Sequence, residues 1–462
     1  MIDVRSFDAH LSSPRILATK VLSAYYKDQT PSYPINPFVI LNEFDVIYQF
    51  RDFKGLEGVY LIPEDETDIP LIGINFNRPI TRQRFTAAHE LCHHIKDRTQ
   101  SNYCPCDHKN ETEQFADKFA SELLMPLDEI RKLAVQYEDE NGYVAFDDIL
   151  RMAEYFGVSF QACVYRVAYN LKKVEGYNEQ GKIAHKLKRY KPDKRRSELG
   201  LNGNYRLWRE AIDSYTYFFQ TQSQSIWYQF KNDFVYNENR LEGVDIDKAD
   251  IGEILADLRC KKQDSEYCSS SFQAIIEVAG HAAIYDFILD TSKTVSAFQM
   301  MTLHQLLYQY APHPEEAGRT RTDNNLVAGA TFETADWRTI PAEIVSIDSM
   351  IKRLNDEQDN MSISEYVERV VKIHHRITIV HPFQDGNGRV SRAILNWQFK
   401  MKGIPPIYLK ADRKQEYFDA LKKADLQGEY ETLVCIFLRE TINSMIQLNK
   451  RVFSTNEQSD EN

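Results

Sequence analysis

Two dense clusters of chemically committed residues stand about three hundred residues apart in this chain: His89-Glu90-Leu91-Cys92-His93, and the run HPFQDGNGRVSR at 381–392. Each needs its own scaffold to hold several polar side chains in register. A chain of 462 residues exceeds what one hydrophobic core supports, so the separation predicts at least two domains. At 43% hydrophobic and 27% charged residues, each half has the material for a core of its own.

The patterning changes along the chain as two domains would require. Gly58–Ile62 and Leu71–Phe76 are short, β-branched or aromatic runs bounded by turn formers, and helical spacing takes over from Arg82. This predicts an α+β domain over 1–175. The basic run KIAHKLKRYKPDKRR at 182–196 reads as a solvated linker, placed at 176–204. From Tyr205 the pattern is helical, which predicts an all-α domain over 205–452. Its apolar stripes are Leu303, Leu306, Leu307 and Tyr310; Tyr366, Val370, Ile373 and Ile377; and Val390, Ala393, Ile394, Trp397 and Met401. Leu326–Phe332 is the one strand-like interruption, expected as a β-hairpin. Residues 453–462 are polar and expected to be disordered.

A net charge of −12 argues against broad nucleic-acid binding, which depends on neutralising phosphates. No run of eighteen apolar residues occurs, the first twenty residues lack the apolar core of a signal peptide, and the seven cysteines are scattered. Together these predict a cytoplasmic protein without a membrane partner, and a homo-oligomer stays compatible with them.

On a helix, His89 and His93 share a face and can point at one cation, with Glu90 beside them to take a proton from water. Zinc wants a third ligand, which Glu113 supplies from a following helix, and Asp117 one turn later can orient a ligand histidine. The neighbouring Cys104-Pro105-Cys106-Asp107-His108 fits no common zinc spacing, and His94 falls off the ligand face. The runs RQRFTAAHELCHHI, ETEQFADKFASELLMP and SFQACVYRV resemble the ImmA/IrrE family of zinc metallopeptidases. That resemblance implies a zincin-like α+β fold and cleavage of one regulatory protein, such as a helix-turn-helix repressor or an antitoxin, and Ile72–Phe76 is where an added substrate strand is expected.

In the second cluster, Gly386 and Gly388 admit phosphate oxygens close to backbone amides at a helix start. Arg389 and Arg392 share a helical face and can neutralise phosphate charge. Asp385 is a hard oxygen ligand for Mg2+, Asn387 can bond a phosphate or order the loop, and His381 is a candidate general base. The run resembles the Fic family signature HPFx(D/E)GNGRxxR, supported by LHQLL at 303–307 and GRTR at 318–321. Membership implies Mg2+-dependent transfer of AMP from ATP to a Ser, Thr or Tyr hydroxyl of a target protein, with Leu326–Phe332 as a target-clamping flap. A minority of the superfamily transfers phosphate or UMP. His374 also matches a recurrent family position and reads as a packed core histidine. Many members carry an inhibitory helix ending S/T-x-x-x-E-G/N. Here YNENRLEG at 236–243, in a helix expected over 225–243, puts Glu242 at the inhibitory position opposite Arg392, with Glu238 replacing the usual hydroxyl. The fusion implies a regulated toxin-antitoxin or stress-response device. A peptidase-like half that only binds a regulator is the alternative.

Overall fold

Ser13 accepts a hydrogen bond from the Ile16 amide and Pro14 follows it, so the first helix, α1 (Pro14–Tyr26), starts with its free amides partly satisfied. Asn36 and Pro37 do the same for α2 (Pro37–Glu43). The chain then forms β1 (Ile47–Arg51), β2 (Leu56–Leu61) and β3 (Leu71–Asn75) before α3 (Ile80–Lys96), β4 (Asn102–Pro105) and α4 (Glu111–Leu124). The strand order is β1-β3-β2-β4, with β1 and β3 parallel and the other two pairs antiparallel. β3 therefore has a neighbour on both sides and no free edge. A substrate strand cannot add to Ile72–Phe76 as the sequence suggested, because the backbone groups it would need are already spent on β1 and β2.

The computed structural model describes residues 2–459 apart from 63–68, 99–101, 106–109, 202–204, 220–226, 228–230, 261–272, 326–333 and short breaks at 10, 45, 52, 54, 76–77, 245–246 and 312–313. The chain divides into two units, Met1–Ser214 and Tyr215–Asn462.

In the first unit, α3 packs its apolar face against β2 and β3, burying Leu91, Cys92 and Ile95 with Val59, Tyr60, Ile72 and Ile74. Helices α5 (Leu127–Tyr137), α6 (Phe146–Phe156) and α7 (Phe160–Tyr165) follow. The basic run is helical rather than an irregular connector, and apart from Ile183 its residues are exposed or half-buried. It forms α8 (Lys182–Arg189) and α9 (Pro192–Glu198), and Arg195 and Arg196 pair with Asp147 and Glu154. Tyr190 stacks on Phe160 at 4.6 Å, so this segment closes the unit. Helix α10 (Tyr205–Phe219) comes next.

The described residues of the second unit are helical throughout: α11 (Lys231–Glu242), α12 (Lys248–Cys260), α13 (Gln273–Asp290), α14 (Gln299–Leu307), α15 (Ile340–Glu357), α16 (Ile363–Val380), α17 (Asn387–Met401), α18 (Lys414–Gln427) and α19 (Glu431–Ser459). The expected hairpin at Leu326–Phe332 lies outside the described residues, and α19 continues through most of the segment expected to be disordered. Helices α16 and α17 form the centre. Tyr366, Val370, Ile373, Ile377, Val390, Ala393, Ile394 and Trp397 are all buried, the valines and isoleucines each contributing about 1.5–3 kcal/mol of transfer free energy. Tyr310 does not belong to its expected stripe: α14 ends at Leu307, and Tyr310 is exposed.

Candidate functional sites

In the first unit, Asn110 caps α4 by accepting from the Glu113 amide at 2.8 Å, which fixes the turn carrying Glu113. Glu113 then faces α3. The Nε2 atoms of His89 and His93 lie 3.1 Å apart, Glu113 Oε2 is 3.0 Å from the first, and Glu113 Oε1 is 3.4 Å from the second. The opposite ring nitrogens are taken: His89 Nδ1 by Asp117 at 3.0 Å and His93 Nδ1 by Asp97 at 2.9 Å. A carboxylate accepts only, so each Nδ1 carries the proton and each neutral ring turns its Nε2 lone pair inward. Two lone pairs and a carboxylate converging in a buried space fit a divalent cation with nitrogen and oxygen ligands. Without one, a ring must take a second proton: burial lowers the His93 pKa, but its hydrogen bonds to Asp97 and Glu113 outweigh burial and raise it.

Glu90 is wholly buried, and neither of its oxygens has a hydrogen-bond partner among the described residues. Burial pushes its pKa up to about 7. The β2 backbone lies against it: a Cβ at Gly58 would stand 2.5 Å from Glu90 Oε1. His94 is a core residue, paired with Tyr60 Oη and the Phe44 carbonyl at 3.2 Å each. Cys106, Asp107 and His108 lie outside the described residues. Asp97 escaped the sequence reading, although a carboxylate one turn after a ligand histidine was a usable signal.

In the second unit, α16 ends at His381, whose φ of 51° is left-handed and whose amide bonds to the Ile377 carbonyl at 3.0 Å. Gly386, at φ 75°, turns the chain into α17, where a Cβ would stand 2.9 Å from Leu307 Cδ2. Asn387 closes the loop between them. Its Oδ1 accepts from the Phe383 amide and its Nδ2 donates to the Phe383 carbonyl, both at 2.8 Å, so of its two expected roles the structure gives it loop ordering. Asp385 accepts from Tyr308 Oη at 2.8 Å, and its side chain is 78% exposed. Burial raises its pKa, but the bonds from Tyr308 and the Gly386 amide and the charge of Arg389 prevail and keep it ionised. Burial, joined by the positive charge of Arg321, lowers the His381 pKa and keeps the ring neutral.

Both motif arginines are buried and already paired. Arg389 donates to Glu277 at 2.9 Å and to Tyr308 Oη at 3.1 Å. Arg392 donates from Nε to Glu238 and from Nη2 to Glu242, each at 2.5 Å. The residue that departed from the inhibitory pattern, Glu238, thus binds the same arginine as Glu242. Gly388 faces this cluster, where a Cβ would lie 3.1 Å from Glu242 Oε1. His374 is a packed core residue bonded to Tyr417 Oη at 2.7 Å, as expected.

The HExxH helix with Glu113 from the next helix, a cluster that could hold a metal ion, and the loop from His381 to the start of α17 thus lie in two different units. Comparison with known families agrees. The IrrE N-terminal-like domain matches residues 46–168 and the Fic/DOC family matches residues 294–399, so the chain joins an IrrE-like domain to a Fic domain. Among curated proteins, protein adenylyltransferase fic-1 of Caenorhabditis elegans is 31% identical over 132 residues, covering 29% of this chain and 24% of that protein. Its counterpart in Caenorhabditis briggsae is 30% identical with the same coverage. The match spans about a quarter of the length of those relatives. Among solved structures, a fragment of Fic-1 from Caenorhabditis elegans covers 72% of this chain and 94% of its own at 20% identity and a TM-score of 0.47. A Fic-domain signalling protein from Bacteroides thetaiotaomicron covers 53% and 96% at 21% identity and a TM-score of 0.42.

Proposed function

We propose that the Fic unit is a protein adenylyltransferase that is held off at rest. The observation that carries this is geometric: His381, left-handed at the end of α16, stands in the loop before a helix start turned by Gly386, and Arg392 on that helix is occupied by Glu238 and Glu242 of the same unit. A Ser, Thr or Tyr hydroxyl of the target gives its proton to His381 as its oxygen bonds to the α-phosphorus of ATP. The bond from that phosphorus to the bridging oxygen breaks, and pyrophosphate leaves. The amides at the start of α17, approached past Gly386 and Gly388, together with Arg389 and Arg392, receive the phosphate oxygens. Asn387 keeps that loop shaped. Asp385, ionised and outward-facing, suits Mg2+, which would neutralise pyrophosphate charge when bound.

Glu242 and Glu238 supply the restraint, because Arg392 cannot receive a phosphate while both carboxylates hold it. Incubation with α-labelled and, separately, γ-labelled ATP tests the reaction. Adenylyl transfer puts the α label on protein and leaves the γ label in solution, His381→Ala abolishes incorporation, and UTP competes poorly. Incorporated γ label means phosphotransfer instead.

The first unit supports a zinc-dependent peptidase acting on one regulator, for which a helix-turn-helix repressor or antitoxin fits the resemblance. His89, His93 and Glu113 would hold zinc, which when bound makes water more acidic. Glu90, with two unsatisfied oxygens, would take the proton, while Asp97 and Asp117 fix the histidine rings. Metal analysis of the purified chain and of His93→Ala tests this. Near-stoichiometric zinc lost in the variant supports the peptidase, and a metal-free wild type supports a module that only binds its regulator.

A further inference from the structure

Arg321, the last residue of the GRTR run, is only 4% exposed and is used by neither proposed reaction. Its guanidinium donates to four main-chain carbonyls: His381 from Nε at 2.8 Å, Asp323 from Nη1 at 2.7 Å, and Ala335 and Val380 (the latter at 3.3 Å) from Nη2. Its own amide donates to the Pro382 carbonyl at 2.9 Å. Three consecutive residues, 380 to 382, are thus gripped by one arginine. The middle one is the histidine that the proposed transfer needs, and it has a left-handed backbone. Such a conformation is unfavourable for a residue with a side chain and persists only where its surroundings hold it. The rigid fork of an arginine suits a set of diverging carbonyls, which an ammonium point charge cannot span.

Among the described residues, this guanidinium donates to main-chain carbonyls and to no carboxylate. We propose that Arg321 is a positioning residue for His381: by holding the main chain of residues 380 to 382 it locks the histidine's left-handed backbone in place beside the start of α17. The groups acting on the ring are few. Burial and Arg321 disfavour the charged form, while the Thr378 carbonyl on α16 and Asp385 in the loop favour it. Asp336 is the acidic residue that offsets Arg321 itself. The inference rests on His381 being the base, but its main test does not require catalysis.

The full chain, labelled with 13C-histidine, is titrated by NMR, with the His381 signal assigned by its loss in His381→Ala. In Arg321→Gln the midpoint is expected to rise by about 0.5 pH unit or more, because a neighbouring positive charge is gone. Arg321→Lys retains the charge but not the fork. Its midpoint should stay near wild type while the rate of adenylyl incorporation falls about tenfold or more and nucleotide affinity is unchanged. An unmoved midpoint in Arg321→Gln, in a protein that still melts cooperatively, overturns the electrostatic role. A wild-type rate in Arg321→Lys overturns the positioning role, and this second variant decides the matter if the glutamine variant does not fold. A Glu238→Gln/Glu242→Gly variant, released from its own restraint, that transfers nothing while the midpoint still moves would sink the transferase reading and leave this inference standing.

Discussion

Arg392 Nε and Glu238 Oε2 meet at 2.5 Å with their side chains only 6% and 1% exposed, whereas Glu242, on the same arginine one helical turn later, is 34% exposed. The two carboxylates are therefore unequal. Glu242 sits where solvent and an incoming phosphate can reach it. Glu238 is an anchor, and burial raises its pKa even against the attraction of Arg392.

Replacing the two should separate inhibition from stability. Glu242→Gly should raise self-adenylylation only partly, since Glu238 still occupies Arg392, and Glu238→Gln with Glu242→Gly should raise it further. In urea unfolding, Glu238→Ala should cost about 3–5 kcal/mol by leaving a buried guanidinium half-paired. The rim contact of Glu242 should cost about 1 kcal/mol or less. Equal stability losses would show that the two contacts are equivalent.

Transfer should depend on pH through His381. Its pKa lies below the ordinary histidine value of about 6.5, so the ring is a free base at neutral pH and the rate falls only as pH drops through that lowered value. The pH–rate profile of a variant released at Glu242 checks the sign. An acid limb above the ordinary histidine range would contradict it.

Metal binding in the first unit should depend on residues that never touch the metal. Asp97→Ala and Asp117→Ala remove the acceptors that orient His93 and His89, and each should weaken zinc affinity about 10–100-fold in a chelator competition. Stripping the metal should lower the melting temperature of the first unit and leave nucleotide binding by the second unchanged.

Gly58→Ala should damage the same unit by a different route. The added Cβ falls 2.5 Å from both Glu90 Oε1 and Thr86 Cγ2, so these buried side chains, or β2 against α3, must shift at a cost of about 1–3 kcal/mol. Thermal unfolding measures it, and an unchanged melting temperature would mean that the sheet gives way freely.

Local chemistry was legible in the sequence, and pairing between distant segments was not. The four-residue spacing of His89 and His93 and the Asn110 cap before Glu113 carry their geometry in a few adjacent residues. The place of β3 between β1 and β2 does not, because strand order is set by the whole sheet, so the expected substrate edge was wrong. Arg195 and Arg196 looked solvated because Asp147 and Glu154 lie about forty residues earlier. Glu238 was readable in principle, since it lies four residues before Glu242 and so on the same face of α11. Arg321 was not: its partners are backbone carbonyls, which no sequence pattern displays.

The most direct test is the intact mass of the full chain after incubation with ATP and magnesium, for wild type, the Glu238→Gln/Glu242→Gly variant and the same variant carrying His381→Ala. The account predicts a covalent AMP adduct on the released variant, less on wild type, and none once His381 is gone. A released variant that stays unmodified and passes no AMP to any protein in a cell extract, or one that gains phosphate instead, would contradict it.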